Sequence, residues 1–107
     1  MADIQIKEVS ESEAIRMWNR DNPDDRFSRQ APSWYDIRNW IVRTNDGEVV
    51  AIAGYTDMGD YAILGGMKAR SKDKPKGGGN WKALLNYRKN ILGNKPKIAG
   101  FRVFFFF

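Results

Sequence analysis

The stretch of the chain best suited to chemistry is a run of three consecutive glycines, Gly77, Gly78 and Gly79. A strand pattern precedes this run and a helical pattern follows it, so the first amide groups of that helix should lack intrahelical partners. Such amides, with the partial positive charge at a helix start, favour a phosphate group. Glycine permits close backbone approach, and Lys74 and Lys76 add full positive charges. Residues 74–80, which end at Asn80, therefore predict an anion-binding loop.

Charge is distributed unevenly along the chain. Residues 1–60 carry seven Lys and Arg against twelve Asp and Glu, whereas residues 61–107 carry eleven against one. A basic second half around a glycine loop predicts an anionic partner, either a phosphorylated small molecule or a nucleic acid. A nucleic acid would be bound by the basic run Lys68, Arg70, Lys72, Lys74 and Lys76. The sequence argues against nucleic acid, because no aromatic residue is interleaved with that run and no helix-turn-helix or RNA-binding signature occurs.

The composition restricts the class of protein. A chain of 107 residues that is 42% hydrophobic is sufficient for a single domain, residues 1–107, with one modest core. Cysteine and histidine are both absent, which argues against a metal site and removes the usual thiol nucleophile and general base. No segment is typical of a signal peptide or a spanning helix, so we expect a cytoplasmic protein that does not bind a membrane.

The elements that must position the glycine loop begin with a strand and a helix. Residues 4–9 alternate in hydrophobicity as a half-buried strand does. Ser10 and Glu13 have the spacing of a capping box, which predicts a helix from Glu11 to the Asn22-Pro23 pair. A second, shorter helical turn is expected from Ser33. Three tryptophans are expected in the core: Trp18, Trp34 and Trp40.

Three strands of an antiparallel meander are expected next, over residues 40–44, 49–55 and 61–68. The Asn45-Asp46-Gly47 turn is a strong hairpin signal. Residues 49–53 barely alternate, which predicts a central strand covered on both faces. Glycines inside the strands indicate a bulge or a close approach of another backbone or a ligand: Gly54, Gly65 and Gly66.

The last elements are a helix and a strand. The helix after the glycines should bury a stripe made of Trp81, Leu84, Leu85 and Ile91 or Leu92. Residues 97–107 read as a final strand, parallel to the strand before the helix if the crossover is an ordinary one.

This order of elements resembles the GNAT superfamily of acetyl-CoA-dependent N-acyltransferases, over roughly residues 4–101. Residues 39–56 and 61–70 are similar to the family's central meander. The run Lys74-Pro75-Lys76-Gly77-Gly78-Gly79 is similar to its pyrophosphate loop, written Arg/Gln-x-x-Gly-x-Gly/Ala. The resemblance implies an α+β fold with a mixed central sheet, in which an antiparallel meander is joined by a parallel fifth strand, and with flanking helices.

The resemblance also implies a site for acetyl-CoA as co-substrate. The fourth and fifth strands would separate to admit the pantetheine arm, and the pyrophosphate would bind the glycine loop. The implied binding residues are Met67, Lys68, Ala69, Lys74, Lys76, Gly77, Gly78, Gly79 and Asn80. Lys74 stands where the family has Arg or Gln, which keeps a charge but loses the forked geometry of Arg.

The sequence ends directly after the fifth strand of this pattern, at Phe107. The family's last helix and closing strands are therefore not expected, and the resemblance is to a short, C-terminally truncated version. Compact genomes such as those of phages carry versions of this kind, so a phage-encoded protein in the host cytoplasm fits the pattern.

Acetyl transfer to an amine requires a base for the amine and a proton for the leaving thiolate. Candidate bases lie near the ends of the meander, namely Glu48, Asp57 and Asp60, and candidate acids are Tyr55, Tyr61 and Tyr87. We predict Glu48 and Tyr87 as the pair, although a surface or packing role also explains each residue. Two functions stay open: an N-acetyltransferase acting on an unidentified amine, and a catalytically inactive GNAT-like structural or binding protein.

The four consecutive aromatic residues at the end of the chain, Phe104 to Phe107, predict a partner. Neighbouring side chains of a strand point to opposite faces, so these four cannot all enter one core. The aromatic side chains on the other face would need a cover. We therefore expect a homodimer, or a larger assembly, formed through the C-terminal strand.

Overall fold

The computed structural model describes residues 3–27, 37–70, 79–99 and 103–106. These residues form two helices and six strands: β1 (Ile4–Val9), α1 (Glu11–Asp21), β2 (Asn39–Asn45), β3 (Glu48–Asp57), β4 (Ala62–Ala69), α2 (Gly79–Leu92), β5 (Pro96–Ala99) and β6 (Val103–Phe106). The strands make one sheet in the order β1-β2-β3-β4-β5-β6. Every neighbouring pair is antiparallel except β4 and β5, which are parallel. The mixed α+β sheet expected from the sequence is confirmed.

The start of α1 follows from its capping residue. Ser10 has an extended backbone, and its Oγ accepts a hydrogen bond of 3.2 Å from the amide of Glu13. The helix ends at Asp21, one residue before the Asn22-Pro23 pair, as expected. Its buried residues Ala14, Met17 and Trp18 pack against one face of the sheet, around Trp40 and Ile52.

The central meander also follows from local signals. Asp46 and Gly47 both have positive φ angles, 52° and 83°, as a two-residue hairpin turn with matching twist requires. All residues of β3 from Val49 to Thr56 are buried, because α1 covers one face of the sheet and α2 covers the other. The prediction of a central strand covered on both faces is confirmed.

The buried face of α2 differs from the expected stripe. Trp81, Leu85 and Ile91 are 43%, 41% and 39% exposed, and the buried residues are Leu84, Arg88 and Leu92. Successive residues of a helix are about 100° apart around its axis. When the buried face is centred on residues 84, 88 and 92, Leu85 therefore points away from the sheet. The stripe was therefore correct at Leu84 and Leu92 and wrong at the other positions.

The end of the chain is a hairpin instead of one long strand. β5 is parallel to β4, as expected, but it stops at Ala99, and β6 pairs antiparallel with it. Only three residues of β5 pair with β4, whereas all four pair with β6, so folding back satisfies more of its backbone groups. The expected helical turn from Ser33, and Trp34 with it, lie outside the described residues. Within the described residues, neither helix is both long and apolar enough to cross a membrane.

Candidate functional site

An open edge is the main feature of the second half of β4. Ala62, Ile63 and Leu64 pair with β5. Beyond Leu64, β4 continues to pair with β3 as far as Ala69, but no described residue pairs with its other side. Residues 65–69, called here the open edge, therefore have no pairing partner among the described residues on the side of β5.

A β-bulge marks the point where the open edge begins. Between the pairs Ala53–Met67 and Tyr55–Leu64, β4 contains one more residue than β3. A Cβ atom at Gly54 or Gly65 would lie 2.7 or 2.8 Å from Cγ2 of Ile37, too close for any residue but glycine without rearrangement. Such a bulge bends the strand that contains it and increases its twist. The bulge expected from the strand glycines is confirmed.

The direction of the backbone groups along the open edge follows from one hydrogen bond. The amide of Arg70 donates to the carbonyl oxygen of Val50 on β3, at 3.0 Å. Because backbone groups alternate in direction along a strand, those of Lys68 also point to β3, and those of Met67 and Ala69 point to the open side. Two of the three β4 residues implied by the resemblance can thus pair with an extended ligand.

The side chain of Lys68 lies on the face of the sheet that α1 covers. Its Nζ is 2.7 Å from Oδ1 of Asp25 and 5.9 Å from the centre of the Trp18 ring. This side chain therefore binds the α1 side of the protein, away from α2.

The start of α2 is open and electropositive. Gly79 is exposed, and no atom of the described residues lies within 4 Å of the position a Cβ would take. The first turn contains no acidic residue to neutralise the helix dipole. Asn80 is linked to the sheet, because its Oδ1 accepts a hydrogen bond of 3.0 Å from Nε of Arg43 on β2. The other predicted loop residues, Lys74, Lys76, Gly77 and Gly78, lie outside the described residues.

The two residues predicted for acid and base chemistry are not close to each other. Glu48 is the first residue of β3, and its carboxylate is 2.7 Å from Nη1 of Arg70. Tyr87 is half-buried on α2 and packs on the cluster around Leu84, close enough to Tyr55 to influence its pKa. Glu48 and Tyr55 are seven residues apart along β3, or roughly 20 Å.

Tyr55 holds its proton firmly. The side chain is buried, and its hydroxyl donates a hydrogen bond of 2.5 Å to Oε1 of Glu8 on β1. Burial and the contact with this carboxylate raise the pKa of Tyr55 well above the ordinary value for a tyrosine. Asp57, another candidate base, is paired with Nζ of Lys95 at 2.6 Å, and this contact lowers the pKa of Asp57.

Arg88 is a residue of the site region that the sequence reasoning missed. Only 7% of Arg88 is exposed, and its Nη1 donates a hydrogen bond of 3.1 Å to the carbonyl oxygen of Gly54, beside the bulge. Burial lowers the pKa of the guanidinium. The four-residue spacing of Leu84, Arg88 and Leu92 was the signal that could have placed it on the buried face.

Solved structures with the same fold identify the architecture. The coenzyme A-bound solution structure of YhhK from E. coli, a candidate N-acetyltransferase, matches with a TM-score of 0.56 and 13% identity over 89% of this chain and 75% of that one. The CoA complex of the aminoglycoside N-acetyltransferase AAC(6')-Iy matches with a TM-score of 0.53 and 11% identity, over 95% and 79%. An integron cassette protein of V. cholerae, VCH_CASS6, matches with a TM-score of 0.50 and 16% identity, over 92% and 75%.

These matches confirm that the chain has the fold of the GNAT N-acetyltransferases. At 11–16% identity they establish the fold alone. No protein-family model matches the chain, and no curated protein matches it by sequence.

Proposed function

We propose that this protein is an acetyl-CoA-dependent N-acetyltransferase that acts on an amine. The observation that carries the proposal is the position of the open edge of β4, which leads towards the electropositive start of α2. An extended pantetheine arm can pair with Met67 and Ala69 as an added strand. A diphosphate can then bind the first amides of α2, at Gly79 and Asn80. The two CoA-bound neighbours of the same fold support this assignment.

The remaining binding residues are proposed on the resemblance. Lys74 and Lys76 would add charge beside the diphosphate, with the amides of Gly77 and Gly78. The backbone groups of Lys68 point to β3, so Lys68 belongs to the site only as the residue of β4 between Met67 and Ala69. Glu48 and Tyr87 stay as the predicted base and acid, and the amine acceptor is unidentified.

Ligand-dependent thermal unfolding tests the proposal. A ligand that binds the native state raises the unfolding midpoint, and at 100 times its Kd it stabilises the fold by about 2.7 kcal/mol. For a chain of this size that corresponds to a rise of roughly 10 °C or more. We expect the rise with acetyl-CoA and with desulfo-CoA, but not with a short nucleic acid duplex. A rise with the duplex alone would overturn the proposal in favour of nucleic acid binding.

Substitutions at Gly79 sharpen the test, because the site has room for a side chain. Gly79→Asp places a carboxylate at the helix start, which should stabilise α2 slightly through its dipole and repel a diphosphate. We expect the apo midpoint to hold or rise, while the CoA-dependent rise falls by more than half. Gly79→Ala is the matched control and should retain the rise. Equal CoA responses in the two variants would contradict a diphosphate at this helix.

Catalysis is tested separately, by release of the CoA thiol from acetyl-CoA over a panel of amines. Turnover with any amine supports the enzyme, whereas binding without turnover over the panel favours the inactive structural or binding protein. Once an amine is found, Tyr87→Phe and Glu48→Gln test the predicted acid and base. A general acid or base should lose about 10²- to 10⁴-fold in kcat. A loss below about tenfold assigns Glu48 to its ion pair with Arg70 instead.

A further inference from the structure

Arg88 is a deeply buried cation with little to neutralise it. Only 7% of the residue is exposed, and the carbonyl oxygen of Gly54 is the one acceptor that the described residues provide. A guanidinium has five N–H donors, so most of them are left for other use. Burial is the cause of its lowered pKa, and no described carboxylate contributes to it. A buried charge without a counter-ion is costly, which points to a role for that charge.

The guanidinium lies at the bulge where the open edge begins. Backbone groups alternate along β3, so the carbonyl of Gly54 faces β4, as the carbonyl of Val50 does. Gly54 lies between the pairs Ala53–Met67 and Tyr55–Leu64, opposite the extra residue of β4. Nη1 of Arg88 reaches this carbonyl at 3.1 Å and therefore enters the bulge.

Distances along α2 and along β4 give the same position for Arg88. Asn80 contacts Arg43, which lies in the row of the sheet that contains Ala51 and Ala69. From Asn80 to Arg88 the helix rises about 12 Å. From Ala69 to Gly65 the strand extends about 13 Å. Arg88 is thus level with the inner end of the open edge.

This end is where the reacting atoms would lie, an expectation that rests on the proposed function. With the diphosphate at the start of α2 and the arm paired with Ala69 and Met67, the sulfur comes to the inner end of the open edge, near Gly65. The sulfur and the Arg88 guanidinium would then lie within a few ångströms, in surroundings from which most water is excluded.

We propose that the Arg88 guanidinium stabilises the negative charge that forms on the coenzyme A sulfur as the acyl group leaves. The amine nitrogen forms a bond to the acyl carbon while the C–S bond breaks, and the electron pair of that bond goes to sulfur. The amine loses its proton to the predicted base, Glu48, directly or through water, and the thiolate then takes a proton from the predicted acid, Tyr87. Arg88 keeps its own protons and acts as a fixed charge at the place where charge develops.

The other ionisable groups on this face are engaged away from the inner end of the open edge. Tyr55 on β3 donates to Glu8 on β1, and Nζ of Lys97 on β5 donates to the backbone oxygens of Gly93 and Lys95, beyond the end of α2. Arg43 on β2 is bound to Asn80 at the start of α2, and Tyr87 on α2 packs on the cluster around Leu84.

The test uses coenzyme A with its free thiol, so it requires no amine. The thiol pKa of bound coenzyme A is measured by ultraviolet absorbance of the thiolate and by the pH dependence of alkylation with iodoacetamide. An opposite charge within about 4–6 Å lowers the pKa of an acid by about 1–3. We therefore expect the thiol bound to the unsubstituted protein to ionise at least about 1 pH unit below free coenzyme A.

Substitutions separate this role from a structural one. Arg88→Met should return the thiol pKa to that of free coenzyme A or higher, and Arg88→Lys should retain part of the decrease. Lys89→Met removes an exposed charge from the neighbouring position and should leave the thiol pKa unchanged. Desulfo-CoA has no thiol for Arg88 to act on. It should therefore bind Arg88→Met within about threefold of its affinity for the unsubstituted protein, a difference smaller than the 1.4 kcal/mol that corresponds to tenfold.

The outcomes distinguish the two proposals. Coenzyme A that binds the unsubstituted protein with an unshifted thiol pKa overturns the role of Arg88 and leaves the proposed function intact. The role of Arg88 is also overturned if the thiol pKa of bound coenzyme A lies equally far below that of free coenzyme A in Lys89→Met and in Arg88→Met. If neither coenzyme A nor desulfo-CoA binds, both the proposed function and this inference are wrong.

Discussion

Tyr55 links the central strand to the edge of the sheet across an intervening strand. Its ring is buried under α2, and its hydroxyl reaches past β2 to the carboxylate of Glu8 on β1. A buried hydroxyl needs a partner, and an ionised acceptor makes the hydrogen bond stronger. Tyr55 therefore serves stability, and its raised pKa makes it a weaker proton donor than an ordinary tyrosine.

Tyr55→Phe should lower the free energy of unfolding at pH 7 by about 1–2 kcal/mol, because the charge-assisted hydrogen bond is lost. The contribution depends on pH with a definite sign. The pKa of the folded state is raised, so the stabilisation is complete below about pH 10, the ordinary tyrosine value, and is lost as the pH rises above it.

Urea unfolding at several pH values measures this difference between Tyr55→Phe and the unsubstituted protein. Glu8→Gln is the control, since its amide oxygen still accepts a neutral hydrogen bond, and it should lose less. A difference that grows above pH 10 would contradict the assignment of the Tyr55 proton.

The bulge of β4 shows how a strand element can create a site. Glycines at positions 54 and 65 lie opposite each other, and each leaves room for the side chain of Ile37. The extra residue lies in β4 just after the part that pairs with β5, and on that side Met67 and Ala69 have no partner among the described residues. The same bulge exposes the carbonyl of Gly54 to Arg88.

Gly65→Ala should destabilise the fold by about 1–3 kcal/mol through overpacking. Its new methyl group would lie 2.8 Å from Cγ2 of Ile37 and 3.2 Å from the carbonyl carbon of Gly54. Gly79→Ala, whose methyl group would meet no atom of the described part of the chain within 4 Å, is the control and should not destabilise it. Thermal unfolding compares the two variants, and equal stability of both would show that the close packing at the bulge is not required.

At the scale of the whole molecule, the acidic and basic halves of the chain have separate positions. The acidic half supplies α1 and the strands from β1 to β3, and the basic half supplies β4, α2 and the C-terminal hairpin. Cations therefore concentrate on the elements that border the open edge. This arrangement suits an anionic ligand.

The C-terminal strand is the natural place for a second copy of the chain, because β6 is at the edge of the sheet. An edge strand has unpaired backbone groups, and β6 contains three phenylalanines, Phe104, Phe105 and Phe106. We predict a homodimer through this strand. Sedimentation at micromolar concentration should give twice the mass of one chain.

Two single substitutions show which face of β6 is covered. Phe104 and Phe105 are neighbours in β6, and successive positions of a strand belong to opposite faces of a sheet. Phe104→Lys and Phe105→Lys should therefore differ, with only one of them giving the mass of a monomer. A monomer in the unsubstituted protein would overturn the predicted assembly.

Much of the fold could be predicted because its signals are local. The Ser10 cap, the Asp46-Gly47 turn and the uninterrupted hydrophobic run of β3 each act within a few residues, and each was confirmed. The parallel crossover to β5 followed from the helix between the two strands. The anion site of the glycine-rich stretch stays a prediction, which follows from the backbone amides and the lysines that this stretch contains.

Tertiary contacts decided the rest. The rotation of α2 depends on which side chains fit against β3, so Arg88 is buried and Trp81 is exposed, against their hydrophobicity. The ion pair of Glu48 with Arg70 joins residues that are 22 positions apart, and no local pattern in the sequence indicates this contact. The bulge of β4 lies where the side chain of Ile37 packs on two glycines, Gly54 and Gly65, which are distant from Ile37 in the sequence. The amino acid sequence alone determined the order of the elements, and only the packing between them decided where charge and open backbone meet.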